Sequence, residues 1–248
     1  MKILRIIKTK FNKEDHSLEF GIALSEKELE EMFRLRYKVY VSELGYGNEK
    51  FFSEEKEYDE YDSGGKCVYF LAALDKEIIG TARLVLDDPL PVEKDYFLFQ
   101  EPLVIKGIPK NKIAEVSRVI SRPSKFLFPR HFVILGLFDS MLQYCLENDI
   151  EVGYAAIEEP FKLKLEKLKI PFYLIENFSV KKSALTERFP GYFDQQINKL
   201  YLIYFLRDEV TQWLEKILNN KLIFKKVDSR VIIFKNSAVF QLAKRFLK

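Results

Sequence analysis

The sequence predicts an α+β fold built on a mixed, mostly antiparallel sheet, and three observations point to it. Two strand-like runs, residues 68–74 and 77–86, flank a tight Asp75-Lys76 turn and read as a β-hairpin. A strand–helix–strand unit follows at residues 151–157, 161–168 and 172–178. No repeat, low-complexity tract or Gly/Ser/Pro-rich linker divides the 248 residues, so a single core is expected. This pattern alone is compatible with several α+β folds.

Taken in order, residues 17–23 read as a strand. Ser25-Glu26-Lys27-Glu28 is a capping box, with Leu24 and Leu29 placed as a hydrophobic staple. The helix it opens should reach about Leu44, burying Leu29, Met32, Phe33, Val39 and Tyr40, and Gly45 and Gly47 end it. Residues 48–66 are acidic, aromatic and irregular. In the hairpin's second arm Gly80 marks a bulge or a close approach of neighbouring chain. Pro89, Pro91, Pro102 and Pro109 make a loop, residues 113–121 form a strand, and residues 129–148 have helical spacing through Ile134, Leu137, Phe138 and Met141. Residues 200–206 are the last core strand, before a helix through Trp213 and Ile217. A hairpin at 222–235 and an amphipathic helix at 236–246 complete the chain. The expected organisation is therefore a domain over 1–220 with a basic extension, 221–248, packed on it.

Charge is unevenly spread. The net charge is +3, too small to argue for nucleic acid. Residues 221–248 hold eight Lys and Arg against Asp228, a balance of 8 − 1 = +7, which leaves 3 − 7 = −4 for the rest. A basic end suits an acidic partner such as a phosphorylated cofactor, a carrier protein or anionic lipid, or simply a solvated surface. Aromatics are 15%, enough to line an apolar cavity, although core packing is the favoured explanation. Cys67 and Cys145 sit in apolar runs and make no disulfide framework. The apolar N-terminal stretch is too short for a signal peptide, and no apolar run approaches the roughly 18 residues of a membrane span. A cytoplasmic protein is expected.

Several charges interrupt apolar segments. Arg36 falls in LRYKVY, Arg83 in IIGTARLV, and Glu115 and Arg118 in IAEVSRVI, while Asp59 and Asp62 follow in EYDEYD. Charges among apolar strand neighbours are costly unless paired or facing a cleft. They are either a structural ion-pair network or the lining of a polar acceptor pocket.

In order and spacing the set resembles the acyl-homoserine-lactone synthases and the related N-acyl amino acid synthases, including acyltransferases associated with bacterial protein sorting. The resemblance rests on Arg36, Tyr40 and Tyr46 in RYKVYVSELGY, on the pair Asp59 and Asp62, on Gly80 to Arg83 in GTARL, and on Glu115-Val116-Ser117-Arg118. It covers residues 30–125 in detail. Tyr40 and Tyr46 replace the synthases' usual Phe and Trp, which makes the pocket more polar and argues against homoserine lactone as the product.

The resemblance implies a GNAT-like acyltransferase fold, with helices on both faces of the sheet and a splayed fourth strand. It implies transfer of a medium- or long-chain acyl group from acyl carrier protein or acyl-CoA to a small amino-acid-like amine, without metal. In an ideal strand Glu115 and Arg118 would project to opposite faces, so a shared pocket demands a β-bulge between them. Glu115 is then the base, Arg83 and Arg118 hold the acceptor's carboxylate or carbonyl, and Asp62 receives its ammonium. Arg36 and Asp59 order the 45–66 loop, and Tyr40 and Tyr46 line the acceptor site. The usual glycine-rich phosphate loop is replaced by Arg122, Lys125 and Arg130, which with Ser117 form the expected cofactor-binding set ahead of the 129–148 helix. His16 and His131 form no metal or nucleophile–base pattern, and Ser117 lacks a nucleophile elbow. Two other readings remain: a short-chain acetyl-CoA-dependent N-acetyltransferase and a non-catalytic acyl- or CoA-binding regulator. Peripheral membrane contact through 236–248 is the less favoured fate of the tail.

Overall fold

A computed structural model describes residues 1–234 apart from Asn12, Ser53, residues 123–127, Pro129, residues 195–197 and Leu222. The helix expected at 236–246 lies outside the described residues.

The chain begins with two paired strands, β1 (Lys2–Phe11) and β2 (Glu14–Ile22), and then α1 (Glu26–Tyr37). The short α2 (Glu60–Ser63) precedes the hairpin β3 (Cys67–Leu74) and β4 (Glu77–Val85). Next come β5 (Phe97–Phe99), β6 (Ile113–Ser121), α3 (Arg130–Glu147), β7 (Val152–Glu158) and α4 (Glu159–Leu168). Two short strands, β8 (Tyr173–Ile175) and β9 (Phe178–Val180), lead to α5 (Ala184–Arg188) and α6 (Pro190–Phe193). The described chain closes with β10 (Leu200–Leu206), α7 (Arg207–Leu218), β11 (Phe224–Lys226) and β12 (Val231–Phe234).

Among the described residues ten strands form one sheet in the order β11-β12-β1-β2-β3-β4-β6-β7-β10-β8, antiparallel except at β1–β12 and β6–β7. On one face α3 and α7 bury the main core, with Phe20, Phe70, Leu84 and Ala114 from the sheet against Val133, Leu137 and Leu214. On the other, Met32 of α1 packs on Tyr69 and Leu71. Alternation within β3 divides these residues, Phe70 to one face and Tyr69 and Leu71 to the other.

The capping box forms as expected, with the Glu28 N–H donating to Ser25 and the Glu28 carboxylate accepting from the Ser25 N–H. The helix does not continue to Leu44. After Tyr37 the chain widens into a π-helical turn over 38–43 and stops at Gly45, whose φ is +65°. At Gly80 the expectation of a bulge or close approach is met twice over. The β3–β4 register shifts beside it, and a Cβ there would lie 2.6 Å from Val133 and 2.9 Å from the Ile120 carbonyl.

Two expectations need correction. Residues 2–11 form a strand not foreseen, because a register shift between Ile3 and Arg5 breaks the alternation a strand should show. Residues 172–178 are not one strand: β8 pairs with β10 at the sheet edge, while β9 pairs with β5 in a separate two-stranded sheet. Tail residues 224–226 and 231–234 add to the main sheet beside β1. Among the described residues no helix is long and apolar enough to cross a membrane.

Candidate active site

The site is built where β6 and β7 part. They pair in parallel only through Ile113–Val152, Ala114–Gly153 and Glu115–Tyr154, and then diverge. On its other side β6 stays paired with β4, but irregularly. Ser117 faces Arg83 and Ile120 faces Thr81, so Arg118 and Val119 together stand opposite Ala82. Arg118 takes up the extra residue with φ +55°, a left-handed conformation that costs a non-glycine side chain energy. This bulge lets Glu115, Ser117 and Arg118 all face one cavity.

The cavity, of about 130 Å³, opens between the splayed strands and reaches both faces of the sheet. On the α3 face it is apolar, lined by Val116, Phe138, Ala155, Ile157, Phe161 and Phe205. On the opposite face it is polar and aromatic, with Glu115, Arg118 and Glu158 beside Tyr40, Tyr46 and Tyr96. Tyr192 and Phe189 close it from α6 and the residue before it. Where the strands part, side chains reach their cleft-facing carbonyls: the Tyr40 hydroxyl donates to Val119 O at 3.3 Å and that of Tyr192 to Ala156 O at 2.8 Å. A second void of about 40 Å³ lies beyond, between α3, α7 and the sheet, and shares Val116, Phe138 and Phe205 with the first.

Behind the polar wall three arginines and three carboxylates interlock. Arg36 binds Asp62 through both terminal nitrogens at 3.0 and 3.1 Å and Glu57 through Nε. Arg83 reaches Asp59 at 2.7 Å and Asp62 at 3.1 Å, and its Nε donates to Ser117 Oγ at 3.1 Å. Arg118 pairs with Glu57 at 3.0 Å and Asp59 at 3.1 Å, and its guanidinium lies 4.9 Å from the centre of the Phe189 ring. The six formal charges cancel, the condition for burying them at all. Asp59 also caps α2, accepting from the Tyr61 and Asp62 N–H groups. Burial would raise the Glu57 carboxyl, but Arg118 and Arg36 outweigh it and hold the group at about 2. Burial likewise opposes ionisation of Asp62, and Arg36 and Arg83 overcome it, keeping it well below the usual carboxylate range.

Glu115 is different. It is 3% exposed and, among the described residues, has no cationic partner within ion-pair distance and accepts only the Val92 N–H, at 2.7 Å. Burial pushes its carboxyl up to about 7, against the pull of Arg83 and of that N–H. One nitrogen of Arg83, Nη2, is buried without a hydrogen-bond partner.

The structure thus brings Arg36, Asp59, Asp62, Arg83, Glu115 and Arg118 into one assembly, but not as equals. Glu115, Ser117, Arg118, Tyr40 and Tyr46 line the cavity, whereas Arg36, Asp59, Asp62 and Arg83 do not. Asp62 is 2% exposed at its side chain, and its oxygens are taken by Arg36 and Arg83, so it is not placed to receive a substrate ammonium. Arg122 is turned to Glu43 at 2.5 Å and is absent from the cavity wall. Lys125 and the side chain of Arg130 lie outside the described residues. Among the described residues no group of His, Cys, Asp and Glu could hold a metal ion.

Sequence reading passed over Glu57 and Glu158. Glu57 carried a usable signal: in an extended run, residues two apart share a face, and Glu57 and Asp59 are buried while Tyr58 between them is 44% exposed. Glu158 carried none, because its role depends on Tyr46, 112 residues away.

A mixed sheet with helices on both faces and a splayed strand pair, here holding an acid in a cleft, defines an acetyltransferase-like fold. The chain belongs to the N-acyl amino acid synthase FeeM family, whose model matches residues 31–160, just over half of it and every predicted site residue. It is an acyltransferase of the N-acyl amino acid synthase kind, as the resemblance implied. Its fold is similar to that of the AHL synthase LasI (TM-score 0.59, 18% identity, 81% of this chain and 95% of that one). It is also similar to MesI, a CoA-dependent acyl-homoserine lactone synthase (0.55, 20%, 80% and 94%). A third similar structure is BjaI, another CoA-dependent synthase, with SAM and isopentyl-CoA (0.55, 17%, 91% and 98%). No curated protein sequence matches the chain significantly.

Proposed function

We propose that the protein transfers a medium- or long-chain acyl group from a thioester to the amine of a small amino-acid-like acceptor, with Glu115 as the base. The observation that carries this is a buried carboxyl, without a cationic partner among the described residues and pushed up to about 7, at the point where β6 and β7 separate. The acceptor's ammonium gives its proton to Glu115, directly or through one water. The free amine nitrogen then attacks the thioester carbonyl carbon, the C–S bond breaks, and the leaving thiolate takes up the proton that the new amide nitrogen sheds. Strand backbone at the splay supplies N–H groups for the developing oxyanion. Arg118, already oriented by Glu57 and Asp59, binds the acceptor's carboxylate, and its planar fork suits that task.

Arg36, Arg83, Asp59 and Asp62 act as positioning residues that hold Arg118, Ser117 and the 57–62 segment. The acyl chain runs into the apolar side of the cavity past Phe138 and toward the second void, which supports a long chain over acetyl. The donor is an acyl-CoA or an acyl carrier protein. BjaI, with isopentyl-CoA bound, supports the first. The lysines Lys164 and Lys167 near His131, at the start of α3, suit the phosphates of either. The free Cys67 and Cys145 are in keeping with a reducing, cytoplasmic setting.

The test is acyl transfer by the purified protein and its Glu115→Gln variant, with products identified by mass spectrometry. Turnover should fall about 100-fold or more. Undiminished turnover would remove Glu115 from the base role.

A further inference from the structure

We infer that the acceptor's side chain carries a cation, an ammonium or guanidinium on a short flexible stem, and that Glu158 selects it. The inference rests on the cavity being the acceptor's site.

Glu158 is the last residue of β7 and projects to the same face as Tyr154 and Ala156. It lines the cavity, where it accepts a hydrogen bond from the Tyr46 hydroxyl. Among the described residues it has no ion-pair partner, whereas Glu57, Asp59 and Asp62 each hold two guanidinium contacts. The three acids of the ion-pair network are thus neutralised by the protein itself, whereas Glu158, at the far end of the cavity from Glu115, is left to meet a cation from outside.

Its surroundings are aromatic as well. Tyr46 and Tyr192 meet edge to face at 5.4 Å beside it. A carboxylate in such a setting attracts a cation by charge and gains little from an apolar side chain.

The spacing fits. Glu158 lies four residues beyond Tyr154, the strand partner of Glu115, and so roughly 13 Å along β7. Only an acceptor whose second charge sits at the end of an extended stem, as in lysine or arginine, can approach Glu158 while its α-amine lies toward Glu115.

The experiment offers lysine, its neutral isostere norleucine, and tyrosine together to the full-length protein with decanoyl-CoA, and measures each amino acid's binding by saturation-transfer NMR. Lysine should be acylated and bound at least 10-fold better than norleucine or tyrosine. Glu158→Gln should bring the lysine-to-norleucine ratio to about one, while Tyr46→Phe should keep it high. A ratio within the same preparation does not depend on how much of a variant folds. Norleucine or tyrosine equalling lysine, or an unchanged ratio in Glu158→Gln, overturns the assignment but leaves the acyltransferase site standing. Failure of all three amino acids to bind or react overturns both.

Discussion

Glu57 and Arg118 are 61 residues apart in sequence and meet at 3.0 Å, and through that contact Glu57 joins Arg118 at the cavity wall to Arg36 in α1. A carboxylate that no substrate touches therefore fixes the side chain proposed to bind one. Glu57→Gln leaves two buried guanidinium groups with one fewer charge to balance them. We expect a loss of about 3 kcal/mol in urea denaturation, together with a weaker acceptor KM. A variant as stable as the parent, with its acceptor KM intact, would show that Asp59 and Asp62 suffice.

Arg118→Lys keeps the charge and the left-handed backbone strain but removes the planar fork shared by Glu57, Asp59 and the acceptor. The acceptor KM should rise about 10-fold, roughly 1.4 kcal/mol, with a smaller change in kcat. Steady-state kinetics over acceptor concentration decides, and an effect confined to kcat counts against carboxylate binding.

Acyl transfer should increase with pH through about 7 as Glu115 loses its proton. Stability should move the other way. Because the folded-state value lies above the ordinary 4.5, the folded protein holds this proton more tightly than the unfolded chain, and stability falls as pH rises from 4.5 through 7. Glu115→Gln should therefore be the more stable protein above pH 7, by about 3 kcal/mol at most, and lose that advantage near pH 4. Thermal melts at the two pH values check the sign.

Phe138 stands between the main cavity and the second void. Phe138→Ala joins them, at a stability cost of about 3 kcal/mol. Preference for longer acyl donors should rise by about 4-fold for each further methylene the enlarged space buries. If competition between octanoyl and tetradecanoyl donors is unaltered, the chain does not pass this way.

Gly136 of α3 lies against Phe20, and a Cβ there would stand 2.2 Å from the ring. Gly136→Ala should destabilise the protein by about 1–3 kcal/mol, because the ring must move or the helix must lift from the sheet. Denaturant midpoints measure it.

The reaction class was legible only through the resemblance to a known family; the charged set, the hairpin and the strand and helix over 151–168 were legible in the residues themselves. Each is written locally, as a polar side chain misplaced in an apolar run, a turn dipeptide, or a fixed spacing of Arg, Asp and Glu. Even the bulge at Arg118 followed from a local argument, since Glu115 and Arg118 could share a pocket only if the strand broke its alternation.

What each charge does was decided by tertiary structure. Asp62 and Arg83 look like substrate ligands in sequence, yet both are buried in ion pairs off the cavity wall, while Glu57 and Glu158, unmarked by any motif, hold the arginines and face the cavity. The division of residues 172–178 between two sheets was equally hidden. The physical reason is the same in each case. Sequence spacing tells which face of a strand a charge occupies, whereas its pairing, its solvation and hence its proton affinity depend on partners tens to more than a hundred residues away.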